Sequence, residues 1–259
     1  MLPMFEHQLF WLMLIFVRVS VIIMIGPFFV LKGIPKPVKV AFAIMLSITI
    51  LPKVEVLDIS MKFQFLSFIV AIMQELFIGV IIGLASNFLF AGIQMAGHII
   101  GLDMGFAMAT FFDPSTNSNL PLLSRFLYYI TFLIYLIIDG HHYVIGAIYY
   151  SYEIVPYSQW AFSEISIQIL IKIVGDIFII GMQIASPVFI TLFITSISLA
   201  FVSKVVPQLN IFAVSFQLKI IAGLLMLAII VPIILLFFRE MFIRFERIIF
   251  QLIESLMVI

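Results

Sequence analysis

Residues 97–121 read GHIIGLDMGFAMATFFDPSTNSNLP, an apolar and glycine-rich stretch between two long hydrophobic runs. Its first half is too apolar for a solvated linker, yet Gly97, Gly101 and Gly105 make it a poor helix former. Irregular backbone leaves amide and carbonyl groups unpaired, and at membrane depth it survives only where it is buried in protein or lines a cavity. The stretch therefore predicts a pathway or a gate.

The composition indicates an integral membrane protein. The chain has 259 residues, of which 64% are hydrophobic and 10% charged, whereas a soluble domain is about half apolar and a quarter charged. The net charge of zero gives no excess of positive charge to attract nucleic acid, so we expect no nucleic-acid partner. The sequence has no cysteine, which excludes disulfides, thiolate zinc sites and cysteine nucleophiles.

Five apolar runs approach or exceed the length of about 20 residues that a helix needs to cross a bilayer. They are Leu9–Leu31, Phe65–Met95, Ser124–Ile138, Ile169–Val202 and Phe212–Phe238. A sixth run, Val40–Leu51, is marginal and ends at Pro52. The sequence therefore predicts an all-α, multi-pass membrane-type helical protein that forms a single domain over residues 1–259.

The positive charges do not give one consistent orientation. The N-terminus has no lysine or arginine while the first connector is basic, and basic connectors usually lie on the cytoplasmic side. This favours an N-terminus outside the cytoplasm. With six crossings, however, the basic C-terminal tail would then lie outside as well. The residues concerned are Lys32, Lys36, Lys39, Arg239, Arg244 and Arg247. Two explanations stay open: the marginal run Val40–Leu51 does not cross, or the protein does not sit in the membrane conventionally.

Three ionisable side chains, Arg18, Glu75 and Asp176, interrupt the apolar runs. Charges inside spans are costly and usually face a bundle interior or a wet cavity. Such charges could form a proton relay or line a substrate path. Alternatively, they could pair with opposite charges between helices or subunits, and we favour this second interpretation. Asp176 lies near the predicted start of its helix, where it would cap the helix or interact with the positive end of its dipole.

The adjacent histidines of Asp139-Gly-His141-His142 are not expected to bind a metal. Neighbouring residues point to different sides of a helix, and no carboxylate or histidine follows at i+3 or i+4 to complete a face. The sequence also lacks HExxH, Gly-x-Ser-x-Gly and a phosphate-binding glycine loop. We therefore expect no metal, no cofactor and no enzymatic activity, with His141 and His98 in structural roles.

Methionine and phenylalanine side chains gather in and before the central stretch. They are Met95, Met104, Phe106, Met108, Phe111 and Phe112. They either fill a core or form a deformable apolar seal across a pore. A turn signal, Asp113-Pro114, and a polar tip, Ser115–Asn119, follow directly.

A series of short motifs runs in order along nearly the whole chain. It comprises Phe16-Val17-Arg18, Gly26-Pro27, Pro35–Lys39, Gln74–Gly79, Ala96-Gly97, Met104–Ala107, Asp113-Pro114, Gly140-His141, Ile184–Pro187 and Pro207–Phe212. In this order and spacing the chain resembles the R-subunit family of the bacterial flagellar type III export gate and its injectisome relatives.

That resemblance implies long inclined helical hairpins packed into a helical export-gate assembly. The expected partners are the P and Q subunits FliP and FliQ, the proteins FlhB and FlhA, exported flagellar proteins in transit, and membrane lipid. The expected location is the bacterial cell inner membrane, within the flagellar basal body. The family's glutamate and arginine correspond to Glu75 and Arg18.

The resemblance also implies a pore plug within residues 97–121. Its elements would be Gly105, Phe106, Met108, Phe111, Phe112, Asp113 and Pro114. We therefore predict a non-enzymatic core subunit that forms and plugs the channel through which unfolded flagellar proteins are secreted, with Gly101 and Gly105 as hinges.

Other functions are considered beside this prediction. The first is the equivalent subunit of a virulence type III secretion system, although Pro207–Phe212 favours the flagellar one. The second is a proton-coupled secondary transporter with Glu75 and Asp176 as proton sites. Transporter folds usually show inverted repeats and paired broken helices, and the sequence shows neither. An intramembrane hydrolase is set aside because no nucleophile–base pair is recognisable.

Overall fold

The computed structural model describes residues 2–27, 34–53, 65–106, 122–155, 163–208 and 210–257, and the regular elements in these ranges are helices. They are α1 (Leu2–Ile25), α2 (Lys36–Ile50), a 3₁₀ turn (Leu51–Lys53), α3 (Phe65–Asp103), α4 (Leu122–Ile137), α5 (Gly140–Ile154), α6 (Glu164–Val205) and α7 (Ile211–Ser255). The predicted all-α class is confirmed.

The predicted multi-pass character is also confirmed. In the described ranges, four helical segments are long and apolar enough to cross a membrane: Gln8–Ile25, Leu66–Asp103, Glu164–Val205 and Ala213–Ile234. The bent pair α4 and α5 adds a fifth if the two helices form one broken span. Helix α2 does not qualify, because 15 residues reach only about 22 Å against a hydrocarbon core of about 30 Å. This favours the explanation in which Val40–Leu51 does not cross.

Two long helices continue through an internal proline, Pro187 in α6 and Pro232 in α7. A proline has no N–H, so the carbonyl four residues earlier loses its helical donor. In α6 this carbonyl belongs to Gln183, and the Ser186 hydroxyl donates to it over 3.1 Å. The serine therefore compensates for the hydrogen bond that Pro187 cannot make.

The chain groups into two compact units. Unit 1 comprises Met1–Phe88, Asp139–Ile173 and Arg244–Ile259, and unit 2 comprises Leu89–Ile138 and Val174–Ile243. Helices α3, α6 and α7 each contribute residues to both units. The single domain over residues 1–259 stays a prediction.

In unit 1, the core is built from aliphatic side chains of α1, α2, α3, α5, the first turns of α6 and the last turns of α7. Glycines on α3 let α1 approach closely. A Cβ atom at Gly79 would lie 3.0 Å from the Arg18 carbonyl oxygen, and one at Gly83 would lie 3.0 Å from the Ile25 Cβ atom. This contact brings the α3 face next to Glu75 against the α1 face that carries Arg18.

In unit 2, the prediction that irregular backbone begins at Gly97 is wrong. Helix α3 continues through Gly97 and Gly101 to Asp103. A Cβ atom at Gly97 would lie only 2.6 Å from the Ser124 Cα atom of α4. Gly97 is therefore required for a close backbone approach, and the packing that it permits outweighs its low helix propensity of about 1 kcal/mol.

Candidate functional site

Arg18 on α1 and Glu75 on α3 form a buried ion pair in unit 1. Arg18 is 0% exposed and Glu75 is 3% exposed. Arg18 Nε donates to Glu75 Oε2 over 2.6 Å, and Nη2 donates to Oε1 over 3.0 Å. Such a two-pronged guanidinium–carboxylate contact is among the strongest charge-assisted hydrogen-bond geometries. The structure thus brings together two of the three charged residues singled out in the sequence.

The remaining Arg18 donors reach the C-terminal end of α5. Nη1 donates to the Ser151 carbonyl oxygen over 3.0 Å and to the Ser151 hydroxyl over 3.2 Å, and Nη2 donates to the Val155 carbonyl oxygen over 3.3 Å. The guanidinium carbon lies 3.9 Å from the ring centre of Tyr152. Final carbonyls of a helix lack intrahelical donors and favour a cation, so Arg18 joins α1 and α3 to the end of α5.

This arrangement supports a structural role for the pair. A buried charge is tolerated when it is paired and its other hydrogen-bonding positions are filled, and both conditions hold for Arg18. Both carboxylate oxygens of Glu75 accept from this one guanidinium, so the negative charge of Glu75 is compensated within the pair. The role of the pair in assembly with other subunits stays a prediction.

Asp176 differs from the other two charged residues. It is partly exposed and has no ion-pair partner within the part of the chain that the structure describes. The predicted capping role is wrong, because α6 begins at Glu164 and Asp176 therefore lies several turns inside the helix. The helix start was predicted too late, at Ile169, because the polar residues Glu164, Ser166 and Gln168 interrupt the apolar pattern before it.

The candidate plug follows a defined helix end in unit 2. The N–H of Phe106 donates to the Gly101 carbonyl over 3.0 Å, and the N–H of Gly105 donates to the Leu102 carbonyl over 3.1 Å. This pair of hydrogen bonds is the Schellman motif, which requires a left-handed residue at the position that Gly105 occupies. Its φ angle is +86°. Gly105 therefore ends α3, whereas Gly101 lies inside the helix.

The three residues at this helix end contact one face of α7. Asp103 Oδ1 lies 3.3 Å from Lys219 Nζ. The side chain of Met104, which is fully buried, fills the notch at Gly223, where a Cβ atom would lie 2.7 Å from the methionine sulfur. Gly105 packs against the ring of Phe216. Positions 216, 219 and 223 recur at helical spacing, so α7 supports the root of the candidate plug.

The helix that follows the candidate plug, α4, is held close to α3. The Ser124 hydroxyl on α4 donates to the Gln94 carbonyl of α3 over 3.0 Å, next to the Gly97–Ser124 contact. The two stems are thus fixed near each other in unit 2. Phe106 is half-buried. The remaining predicted plug residues, Met108, Phe111, Phe112, Asp113 and Pro114, lie outside the described residues.

The histidines are arranged differently from the sequence-based expectation. The rings of His141 and His142 lie 4.2 Å apart between their centres, and His142 Nδ1 lies 3.7 Å from Asp139 Oδ1. Potential ligand atoms of all three residues lie within 4.8 Å of one another. The premise that the adjacent rings diverge is therefore wrong. The i+3 and i+4 pattern considers only residues after the histidines, whereas Asp139 precedes His142 by three residues.

Comparison with known proteins adds the family. The family model described as bacterial export proteins, family 1, matches residues 9–245. The flagellar biosynthetic protein FliR of Escherichia coli K12 is 30% identical over 97% of both chains. The FliR proteins of Bacillus subtilis and Pectobacterium carotovorum are 30% and 32% identical over 89% and 91% of this chain, and over 89% and 88% of their own. This chain belongs to the FliR family.

FliR-family membership, together with the apolar helices, makes the chain a membrane-embedded component of the flagellar export apparatus. The part that matches the family model includes the Arg18–Glu75 pair, the α3 helix end and the α4–α5 bend. These three arrangements therefore lie within the part of the chain that matches the family model.

Proposed function

We propose that this chain is a non-enzymatic core subunit of the flagellar type III export gate in the bacterial inner membrane. It forms part of the channel for unfolded flagellar proteins, and residues 97–121 carry the plug that closes the channel at rest. The observation that carries this proposal is the anchored root of that segment, where three successive residues contact α7.

The root has the properties that a plug requires. A closed plug must block small solutes, so the helices at its two ends have to be fixed. It must also move aside when an exported chain threads through the channel. Here the Asp103–Lys219 ion pair and the Met104–Gly223 contact fix one stem, and the Gly97–Ser124 contact fixes the other. Beyond Gly105 the sequence supplies Met108, Phe111 and Phe112, whose flexible or bulky apolar side chains suit a water-excluding seal.

The proposed partners follow from the family resemblance. FliP and FliQ would complete the channel, FlhB and FlhA would adjoin it, and exported flagellar proteins would pass through it. The Arg18–Glu75 pair would keep α1, α3 and α5 in the register that these partners recognise. A proton-coupled transporter is less well supported, because Glu75, its first proposed proton site, is engaged by Arg18.

Deleting Met108–Phe112 tests the plug. The deletion removes the bulky apolar side chains and leaves the root at Asp103–Gly105 intact, so we expect assembled complexes that leak small solutes. The measurement is uptake of a normally impermeant small solute by cells, with the amount of assembled complex quantified in parallel. A matched control deletes five polar residues, Ser115–Asn119, which should leak much less. Unchanged permeability of cells that contain assembled Met108–Phe112 deletion complexes would contradict the plug assignment.

A further inference from the structure

We propose that Asp139, His141 and His142 form a binding site for a divalent transition-metal ion, with Zn²⁺ as the reference ion, at the bend between α4 and α5. The site is separate from the proposed plug and does not depend on it. It is assembled from four consecutive positions of unit 1, so its geometry is set locally by the turn.

The turn directs the Asp139 carboxylate toward the imidazoles. Asp139 adopts a left-handed conformation, with φ of 57°, which aspartate tolerates better than most residues. The backbone N–H of His142 donates to the Asp139 carbonyl over 2.9 Å. Among the described residues, the Asp139 side chain makes no capping hydrogen bond with α5, although aspartate at this position usually does. Its Oδ1 instead faces His142 Nδ1.

The distances permit metal coordination after small side-chain rotations. Potential ligand atoms lie within 4.8 Å of one another, whereas ligands bound tetrahedrally to zinc at about 2.0–2.1 Å lie roughly 3.4 Å apart. The Asp139 and His142 side chains are 71% and 69% exposed. They can therefore close on an ion without disturbing packed neighbours, and the ion can reach them from solvent.

The ligand types determine which ion is preferred. Two imidazoles and one carboxylate suit Zn²⁺, Ni²⁺ or Co²⁺, whereas Mg²⁺ and Ca²⁺ favour sites made of oxygen atoms. Three protein ligands leave a fourth tetrahedral position for water or another donor. Because the imidazoles must be neutral to bind a metal, Zn²⁺ affinity should fall as the solution is acidified.

Direct binding measurements on the full chain test the site. The chain is purified in detergent with a histidine-free affinity tag, stripped with a chelator and titrated with Zn²⁺ against a chromophoric competitor. We expect one Zn²⁺ for each chain, with Mg²⁺ unable to compete. The variants Asp139→Asn, His141→Gln and His142→Gln should each weaken Zn²⁺ binding at least tenfold. The matched control is His98→Gln on α3, which should bind like the wild type.

A second measurement uses the unaltered chain, so that a misfolded variant cannot decide the result. Co²⁺ added to the wild type should give the intense visible absorption of a tetrahedral centre, and Zn²⁺ should displace it. Absence of both one-to-one Zn²⁺ binding and this absorption would overturn the site. An equal loss of Zn²⁺ binding in His98→Gln, or none in Asp139→Asn with an unchanged helical circular-dichroism spectrum, would overturn the ligand assignment. None of these outcomes bears on leakage through the plug.

Discussion

At Arg18 on α1, one side chain satisfies groups of two other helices, α3 and α5, at once. Its contacts with Glu75, Ser151 and Val155 lie in a region without solvent access. A pair of this kind adds little net stability over well-packed apolar residues, but the loss of one member leaves an uncompensated buried charge. The asymmetry provides a direct test of the structural interpretation.

We expect Glu75→Ala to destabilise the protein by about 3–5 kcal/mol, because Arg18 then remains charged and buried. Thermal unfolding in detergent and the yield of assembled complex measure this effect. The double variant Arg18→Met with Glu75→Leu should recover part of the loss, since no charge stays unpaired. The control Asp176→Ala should change stability by less than about 0.5 kcal/mol. Normal assembly of Glu75→Ala with loss of export alone would instead indicate a proton-coupling role.

Residue types were easier to predict from the sequence than their contacts. Arg18 and Glu75 stand out because charges interrupt apolar runs, but they are 57 positions apart and no local pattern links them. The Ser151 and Val155 carbonyls give no sequence signal at all, because every residue has a carbonyl. The approach of Asp139 to His142 was missed for a different reason: only positions after the histidines were considered, and the left-handed turn at Asp139 lies outside regular helix geometry.

Among the elements, helix α3 shows how packing overrides local propensity. Gly97 and Gly101 predicted the end of the helix, yet only Gly105 ends it. Helix α7 likewise continues past the predicted end at Phe238 to Ser255, because arginine and glutamate stop an apolar run but are good helix formers. The separation of the runs that end at Val202 and begin at Phe212 was predicted correctly, because α6 ends at Val205 and α7 begins at Ile211, and Pro207 between them disfavours a continuous helix.

Gly97→Ala tests whether the α3–α4 contact holds the stem of the plug. An alanine normally stabilises a helix interior by about 1 kcal/mol over glycine, but here its Cβ would lie 2.6 Å from backbone of Ser124, which cannot rotate away. We expect a net destabilisation of about 1–3 kcal/mol, measured by thermal unfolding, and increased solute leakage.

The matched control for this prediction is Gly175→Ala, where no atom of the described residues outside the glycine's own stretch of helix lies within 4 Å of the added Cβ. It should be neutral or slightly stabilising and should not leak. Gly223→Ala gives an intermediate case, because the atoms that it meets are the flexible end of Met104. If Gly97→Ala behaved like Gly175→Ala, the close α3–α4 contact would not be a determinant of the plug.

At the scale of the whole molecule, the long helices are covered unequally. The most apolar windows of α1 and α3 are 39% and 44% buried, while those of α6 and α7 are 28% and 17% buried. Exposed side chains on α6 and α7 include Phe178, Phe189, Phe193, Phe201, Leu225 and Ile229. An exposed apolar surface of this extent requires lipid or another protein to cover it. A single chain in water would therefore not be expected to remain soluble.

This surface separates the export-gate proposal from a carrier that works alone. If FliP and FliQ cover part of α6 and α7, their binding stabilises the folded chain by mass action, so the tagged chain in mild detergent should co-purify with them. Without them, we expect a lower unfolding temperature and aggregation in the same detergent. A carrier would instead be monodisperse alone and, once reconstituted, would bind and move a small solute. That result, with no co-purifying FliP or FliQ, would contradict the proposal, because a gate subunit has no closed pathway until its partners complete the channel.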